Sequence, residues 1–229
     1  MKFTYEGHSC FMVEANSVKL LFDPFLAKSA KKPDEFHPNA VLISHGHADH
    51  VGAAFDIARA SGAVLVGMSD LIDQVASLTE GISTTGFNLG GTIDIEGVRI
   101  SMVPAWHGPR INAVNGCCTP VGFIVNDGKD IFYFAGDTAL FGDMKSVISR
   151  YGVTVASLPI GGHYTMDPDA AVMAADWLGA KYVIPMHYNT FPLIVQDVNA
   201  FKEKIETEIG CKCVVMASGE SWEVGGDTE

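Results

Sequence analysis

Apolar and polar positions alternate from the start of the chain. Phe3 and Tyr5, then residues 10–14, then residues 18–22 show a period of two, with Asn16-Ser17 between the last two runs, so the pattern predicts short antiparallel strands joined by tight turns. Asp23-Pro24 stops the third strand. A polar loop over residues 27–39 follows, carrying Lys28, Lys31, Lys32, Pro33 and Pro38, and its length suits a surface connection or part of a binding site. Residues 41–44 form the next predicted strand. Beyond it the period changes: residues 51–60 place apolar side chains at helical spacing up to Gly62, which puts Asp49 and His50 at a helix start. A buried strand over 63–67 and a helix over 70–78, its apolar face at Leu71, Ile72, Val75 and Leu78, complete this part.

From residue 82 to residue 134 the period returns to two. Residues 92–95 and 98–103 flank Glu96-Gly97, and residues 121–126 and 130–134 flank Asp127-Gly128-Lys129, which predicts two hairpins. A helix over 140–151, a strand over 154–160, a helix from Asp167-Pro168 to Leu178-Gly179 and a strand over 182–185 come next. An amphipathic helix over 195–209, closed by Gly210, precedes strands over 212–216 and around Trp222. No linker, repeat or low-complexity tract interrupts this order. The expectation is one domain over residues 1–229 with an internal two-fold character, each half combining a β meander with covering helices.

Composition narrows the classes. The chain is 48% hydrophobic and 18% charged, a globular balance, and its apolar runs break well short of the roughly 18 residues that a membrane span needs. Residues 1–6 lack a signal peptide's apolar segment, so a cytoplasmic address is expected. A formal net charge of -12 argues against nucleic acid as a partner, because that affinity rests on neutralising phosphates. The five cysteines, Cys10, Cys117, Cys118, Cys211 and Cys213, have no paired C-x-x-C spacing and are expected as reduced, mostly buried thiols.

The chemistry is concentrated in His45-Gly46-His47-Ala48-Asp49-His50, directly after the apolar run 41–43. Imidazole and carboxylate are the donors that borderline divalent cations prefer, and this density of both points to a metal centre. Three later positions share one pattern, in which an apolar strand ends and a His or Asp follows: His107, Asp137 and His187. A site for two metals needs about seven donors, and these three supply the missing number.

Together, His45-x-His47-x-Asp49-His50 with His107, Asp137 and His187 resembles the ligand signature of the metallo-β-lactamase superfamily. Gly7-His8-Ser9, Gly136-Asp137-Thr138, the stretch 159–168 and Pro185-Met186-His187-Tyr188-Asn189-Thr190 narrow the likeness to a branch of metal-dependent hydrolases related to the ascorbate-6-phosphate lactonases. The resemblance implies an α/β (α+β) fold, an αββα sandwich of two mixed sheets flanked by helices. It implies His45, His47 and His107 on one metal, Asp49, His50 and His187 on a second, and Asp137 bridging both. A hydroxide held between the metals would then cleave an ester, lactone or phosphodiester of a small molecule. Asp49 as a free general base is the competing role. Zinc, manganese, nickel and iron all suit this donor set.

His163, in a Gly-rich loop after a strand, is a candidate for substrate binding or oxyanion stabilisation together with the N–H groups of Gly161 and Gly162. His8 is a candidate for substrate contact or for support of the metal ligands. Arg110, three residues past His107, can meet an anionic substrate, as can the Lys31-Lys32 pair, whereas His37 is given no role. Three further classes stand beside the hydrolase, of which a non-catalytic metal-binding or interaction protein is hard to reconcile with a complete ligand set. An iron redox protein on this fold is disfavoured because the diiron type usually has Glu where this chain has His47. An RNA-processing nuclease is disfavoured by the acidic balance. Relatives of this kind assemble, which implies a homo-oligomer.

Overall fold

A computed structural model describes residues 1–226. The N-terminal alternation folds as an antiparallel meander of β1 (Lys2–Gly7), β2 (Cys10–Ala15) and β3 (Val18–Phe22). After β3 the pairing changes sense. β4 (Ala40–Leu42), β5 (Val64–Met68) and β6 (Thr84–Phe87) add in parallel, which requires crossover segments. Between β4 and β5 lie α1 (Ala48–Val51) and α2 (Ala54–Ser61), and between β5 and β6 lie α3 (Ser69–Gln74) and a 3-10 turn, Ala76–Leu78.

The second sheet repeats the recipe. β7 (Thr92–Ile95) and β8 (Val98–Pro104) form the first expected hairpin, and a small hairpin of β9 (Arg110–Ile111) and β10 (Gly116–Cys117) follows. β11 (Val121–Asn126) and β12 (Ile131–Phe134) complete an antiparallel set with β8. β13 (Val155–Pro159), β14 (Tyr182–Met186) and β15 (Lys212–Cys213) then add in parallel. The crossovers carry α4 (Asp143–Ser146), α5 (Pro168–Leu178) and α6 (Val198–Lys204). The chain returns to the first sheet as β16 (Ser221–Glu223), paired with β1. Each sheet therefore has seven strands, part antiparallel and part parallel, and the expected two-fold character is visible in that repetition.

The two sheets pack through an aromatic layer. Phe3 meets Phe132 at 4.9 Å between ring centroids, Phe22 meets Phe134 at 4.9 Å, and Phe11 meets Phe134 at 6.3 Å, all on fully buried side chains. Inward-facing positions of both sheets thus form one core, with helices on the outside, the αββα sandwich that the resemblance implies.

Several elements differ from the expectation. The helix over 51–60 is two pieces, because Gly52 adopts φ 43° and a Cβ there would lie 2.2 Å from the Pro24 carbonyl oxygen. The helix over 140–151 is one α-turn followed by a 3-10 turn, Ile148–Tyr151. The helix over 195–209 begins at Val198 and ends in a π-turn, Ile205–Ile209, and the strand over 212–216 shortens to two residues. Asp167 caps α5 by accepting from the Ala170 N–H at 2.8 Å, as expected. Among the described residues no helix is long and apolar enough to cross a membrane.

Candidate metal centre

Four strands that run in the same direction end at one edge of the sandwich, and each is followed by a donor. β4 leads to His45 and His47, β8 to His107, β12 to Asp137 and β14 to His187. Asp49 and His50 sit in the single turn of α1, so one turn of helix turns two more side chains toward the same point. His47 occupies the N-cap position without using its side chain as a cap. Asn112, at the tip of the β9–β10 hairpin, caps instead, its Oδ1 accepting from the Ala48 N–H at 3.0 Å. The His47 ring is therefore not spent on capping. Gly46 lies so close to Ile111 that a Cβ would fall 2.6 Å from its side chain, which explains a glycine between the two histidines.

The donors converge on Asp137. Its Oδ2 lies 3.1 Å from His187 Nε2, 3.2 Å from His50 Nε2, 3.4 Å from His107 Nε2 and 4.0 Å from His45 Nε2. His47 Nδ1 lies 3.0 Å from His45 Nε2 and 3.2 Å from His107 Nε2. Among the described residues three groups result, in each of which the donor atoms lie within 4.8 Å of one another: His45, His47 and His107; His8, Asp49, His50 and His187; and the fully buried Asp23, His45 and His50, which links the other two. The close approaches of His50 Nε2 and His187 Nε2 to Asp137 lack hydrogen-bond geometry, and both nitrogens, with Asp137 Oδ1, are buried without a hydrogen-bond partner. Buried lone pairs facing one another are unfavourable unless a proton or cation lies among them, so this donor set fits divalent cations.

The electrostatics agree. Burial works against charge on every ring here, yet Asp137 and Asp23 hold the His50 imidazolium well above the usual histidine range, and Asp137 with Asp49 pushes His187 up to about 9. Burial lowers His45, His47 and His107, with neighbouring imidazoles adding to the effect. Asp137 is held well below the carboxylate range by His50 and His187 despite its burial. The carboxylate therefore demands positive charge on both sides.

Two supporting residues complete the centre. Asp23, fully buried at φ 40°, accepts from His50 Nδ1 at 2.7 Å, from the Ser44 N–H at 2.8 Å and from the Ser44 hydroxyl, while Ser44 Oγ contacts His45 Nδ1 at 3.0 Å. One carboxylate thereby orients a ring in each of the first two groups. In the sequence Asp23 marks only the end of a strand. The missed signal was a carboxylate placed, like the donors themselves, directly after an apolar strand. His8 is buried as well, its Nε2 3.3 Å from Asp49 Oδ2, its Nδ1 2.9 Å from Thr190 Oγ1 and its ring 4.1 Å from that of His187. It contacts Asp49 and His187, a supporting place among the donors.

Above the donors opens a cleft of about 910 Å³, with His47, Asp49, His107, Asp137 and His187 on its floor. Arg110 and Asn112 form one lip, and Tyr164, Phe191, Pro192 and Leu193 line the other. His163 is not on this surface. It is exposed, and its ring stands edge-on to Tyr164 at 4.5 Å, so its neighbour takes the place at the wall. The Gly162 N–H donates to the Met166 carbonyl at 3.0 Å and is not free for an oxyanion. Lys31 is paired with the buried Glu6 at 2.5 Å, and His37 is exposed. Four of the five cysteines are buried, and all are free thiols.

Comparison with known proteins accords with this geometry. Residues 2–187 match the model of the beta-lactamase superfamily domain, a match that ends on the last donor. A UPF0173 metal-dependent hydrolase of Methanopyrus kandleri is 42% identical over 97% of this chain and 100% of its own length. One from Methanocorpusculum labreanum is 45% identical over 90% of this chain and 91% of its own. The solved structure of Igni18, a novel metallo hydrolase from Ignicoccus hospitalis, superposes with a TM-score of 0.87 at 36% identity, covering 97% of this chain and 98% of that one. With two mixed sheets, outer helices and a His/Asp cluster at the strand ends, the chain belongs to the metallo-β-lactamase superfamily and, within it, to the UPF0173 metal-dependent hydrolases.

Proposed function

We propose that the chain hydrolyses esters, lactones or phosphoesters of small molecules with two divalent cations. In this reading His45, His47 and His107 hold one cation, Asp49, His50 and His187 hold the other, and Asp137 lies between them. The observation that carries it is the approach of four imidazole nitrogens to Asp137 Oδ2, within 4.0 Å, at the floor of a cleft. Cations held there supply Lewis acidity, polarising the scissile group and acidifying water enough for attack near neutral pH.

The side chains do the rest. Asp23 fixes the His50 ring directly and the His45 ring through Ser44, so the donors are set before substrate arrives. His8 and Thr190 restrain Asp49, which favours a ligand role for Asp49 over that of a free base. Arg110 at the lip receives an anionic group, so the substrate carries negative charge. Zinc, manganese, nickel and iron all satisfy the N/O donor set, and the native pair is found by elemental analysis of protein purified without added metal.

The deciding variant is Asp137→Ala. Metal content, by elemental analysis, and turnover, on a panel of phosphodiesters, lactones and thioesters with each candidate metal, are expected to fall together. Full turnover with two equivalents of metal retained would overturn the central role of Asp137.

A further inference from the structure

We infer that the substrate is an amphiphilic anion, its charged end seated at Arg110 and its apolar end, of about the size of an aromatic ring, against Tyr164, Phe191 and Leu193. What happens to that molecule rests on the hydrolase reading; how it is held does not.

The two ends of the cleft differ in kind. Arg110 stands on β9 at the side of His45, His47 and His107, close enough for its charge to bear on His47. Among the described residues no carboxylate pairs with it. Asn112 beside it has its side-chain oxygen engaged by Ala48, which leaves its amide nitrogen as a donor. A guanidinium without a counter-ion on the rim of a cleft is suited to a carboxylate or phosphate.

The opposite end is apolar and adjoins the other donor group. Phe191 meets His8 edge-on at 5.5 Å, and His8 in turn lies 4.1 Å from His187. Phe191 also packs on Phe25 at 6.1 Å between centroids, so its ring is fixed. The following 3-10 turn, Pro192–Ile194, is pinned by the fully buried Ile194. Asn189 locks it further, accepting from the Gln196 N–H at 2.8 Å and donating to the Gln196 carbonyl at 3.2 Å. Leu193 is thereby held outward, 58% exposed, and Tyr164, 51% exposed on a separate loop, lines the same cleft.

Single exposed apolar side chains are ordinary. Here three from two different loops line one cleft, Phe191 and Leu193 on a pinned turn, and they gain only when apolar surface covers them. A cleft of about 910 Å³ exceeds the needs of an isolated phosphate or acetate and suits a molecule that spans both ends. Asp137 lies midway, between His107 at 3.4 Å and His187 at 3.1 Å, so the bond to be cleaved lies between the charged and the apolar parts.

The test measures binding without turnover, by calorimetry on the metal-loaded protein with 4-phenylbutanoate, butanoate and 4-phenylbutan-1-ol. The first is expected to bind at least roughly tenfold more tightly than either of the others. Arg110→Gln should reduce 4-phenylbutanoate to the affinity of the alcohol. Leu193→Asp should reduce it to that of butanoate. Equal binding of the three probes overturns the inference, as does an unchanged preference in Arg110→Gln, which would put the carboxylate on the cations alone. If the preference and both variant effects hold while no ester, lactone or phosphoester of this shape is cleaved, the hydrolase reading fails and the inference stands. Turnover of small neutral esters with three equal probe affinities has the reverse meaning.

Discussion

Asp23 touches no part of the cleft, yet it bears on both donor groups, directly through His50 and indirectly through Ser44 and His45. Replacing it by Ala is expected to weaken metal affinity about 10- to 100-fold, measured by competition with a chelating dye, while every donor remains. The loss of its partners also leaves buried polar groups unpaired, at about 1–3 kcal/mol each. A pH effect follows from His187. Its folded value, pushed up to about 9, lies above the ordinary 6.5, because Asp137 and Asp49 outweigh burial. The stabilisation from that proton in the metal-free protein is full below pH 6.5 and is lost as pH rises through 9. Cation binding must displace it, so apparent metal affinity is expected to rise from pH 7 toward pH 9, by up to about tenfold per unit for each proton released. Titration of the dye competition against pH reads this directly. The donors themselves were legible in the sequence, because six positions of one loop carry four of them. Asp23 is not legible in the same way: its partner His50 lies 27 residues away and only folding brings the two together, whereas the Gly7-His8-Ser9 motif already marks His8 as a candidate support for the ligands.

At the scale of elements, α1 is the piece on which the second donor group depends. It is a single turn, too short to be stable alone, held by Asn112 at its start and by the bend at Gly52 at its end. Gly52→Ala would force a Cβ toward the Pro24 carbonyl in a left-handed conformation, and it is expected to cost roughly 2 kcal/mol or more. Denaturant unfolding would show the loss, and metal content should fall with it because Asp49 and His50 ride on that turn. β2, β3, β8 and β11 can be read from sequence to within a residue or two, since short apolar runs rich in β-branched and aromatic residues between turn residues are a clear signal. The β9–β10 hairpin cannot, because two residues per strand carry no period. The segments over 140–151 and 195–209 look like continuous helices in the sequence, whereas the structure breaks them into α, 3-10 and π turns.

Across the whole molecule, each of the first two donor groups draws on both sheets. His45 and His47 follow a strand of the first sheet and His107 a strand of the second; Asp49 and His50 belong to the first and His187 to the second. Cations bound in these groups would clamp the sandwich at one edge. Bound at a thousand times its dissociation constant, one such cation adds about 4 kcal/mol, so thorough chelation is expected to lower Tm by about 10 °C, followed by circular dichroism with and without metal restored. The arrangement also carries a consequence in time. During synthesis the four donors of residues 45–50 appear early, His107 and Asp137 only once the second sheet is under way, and His187 after all but its last strand. The first group is complete once His107 has been made; the second waits for His187. In the two-cation reading the second cation would therefore be captured after the first.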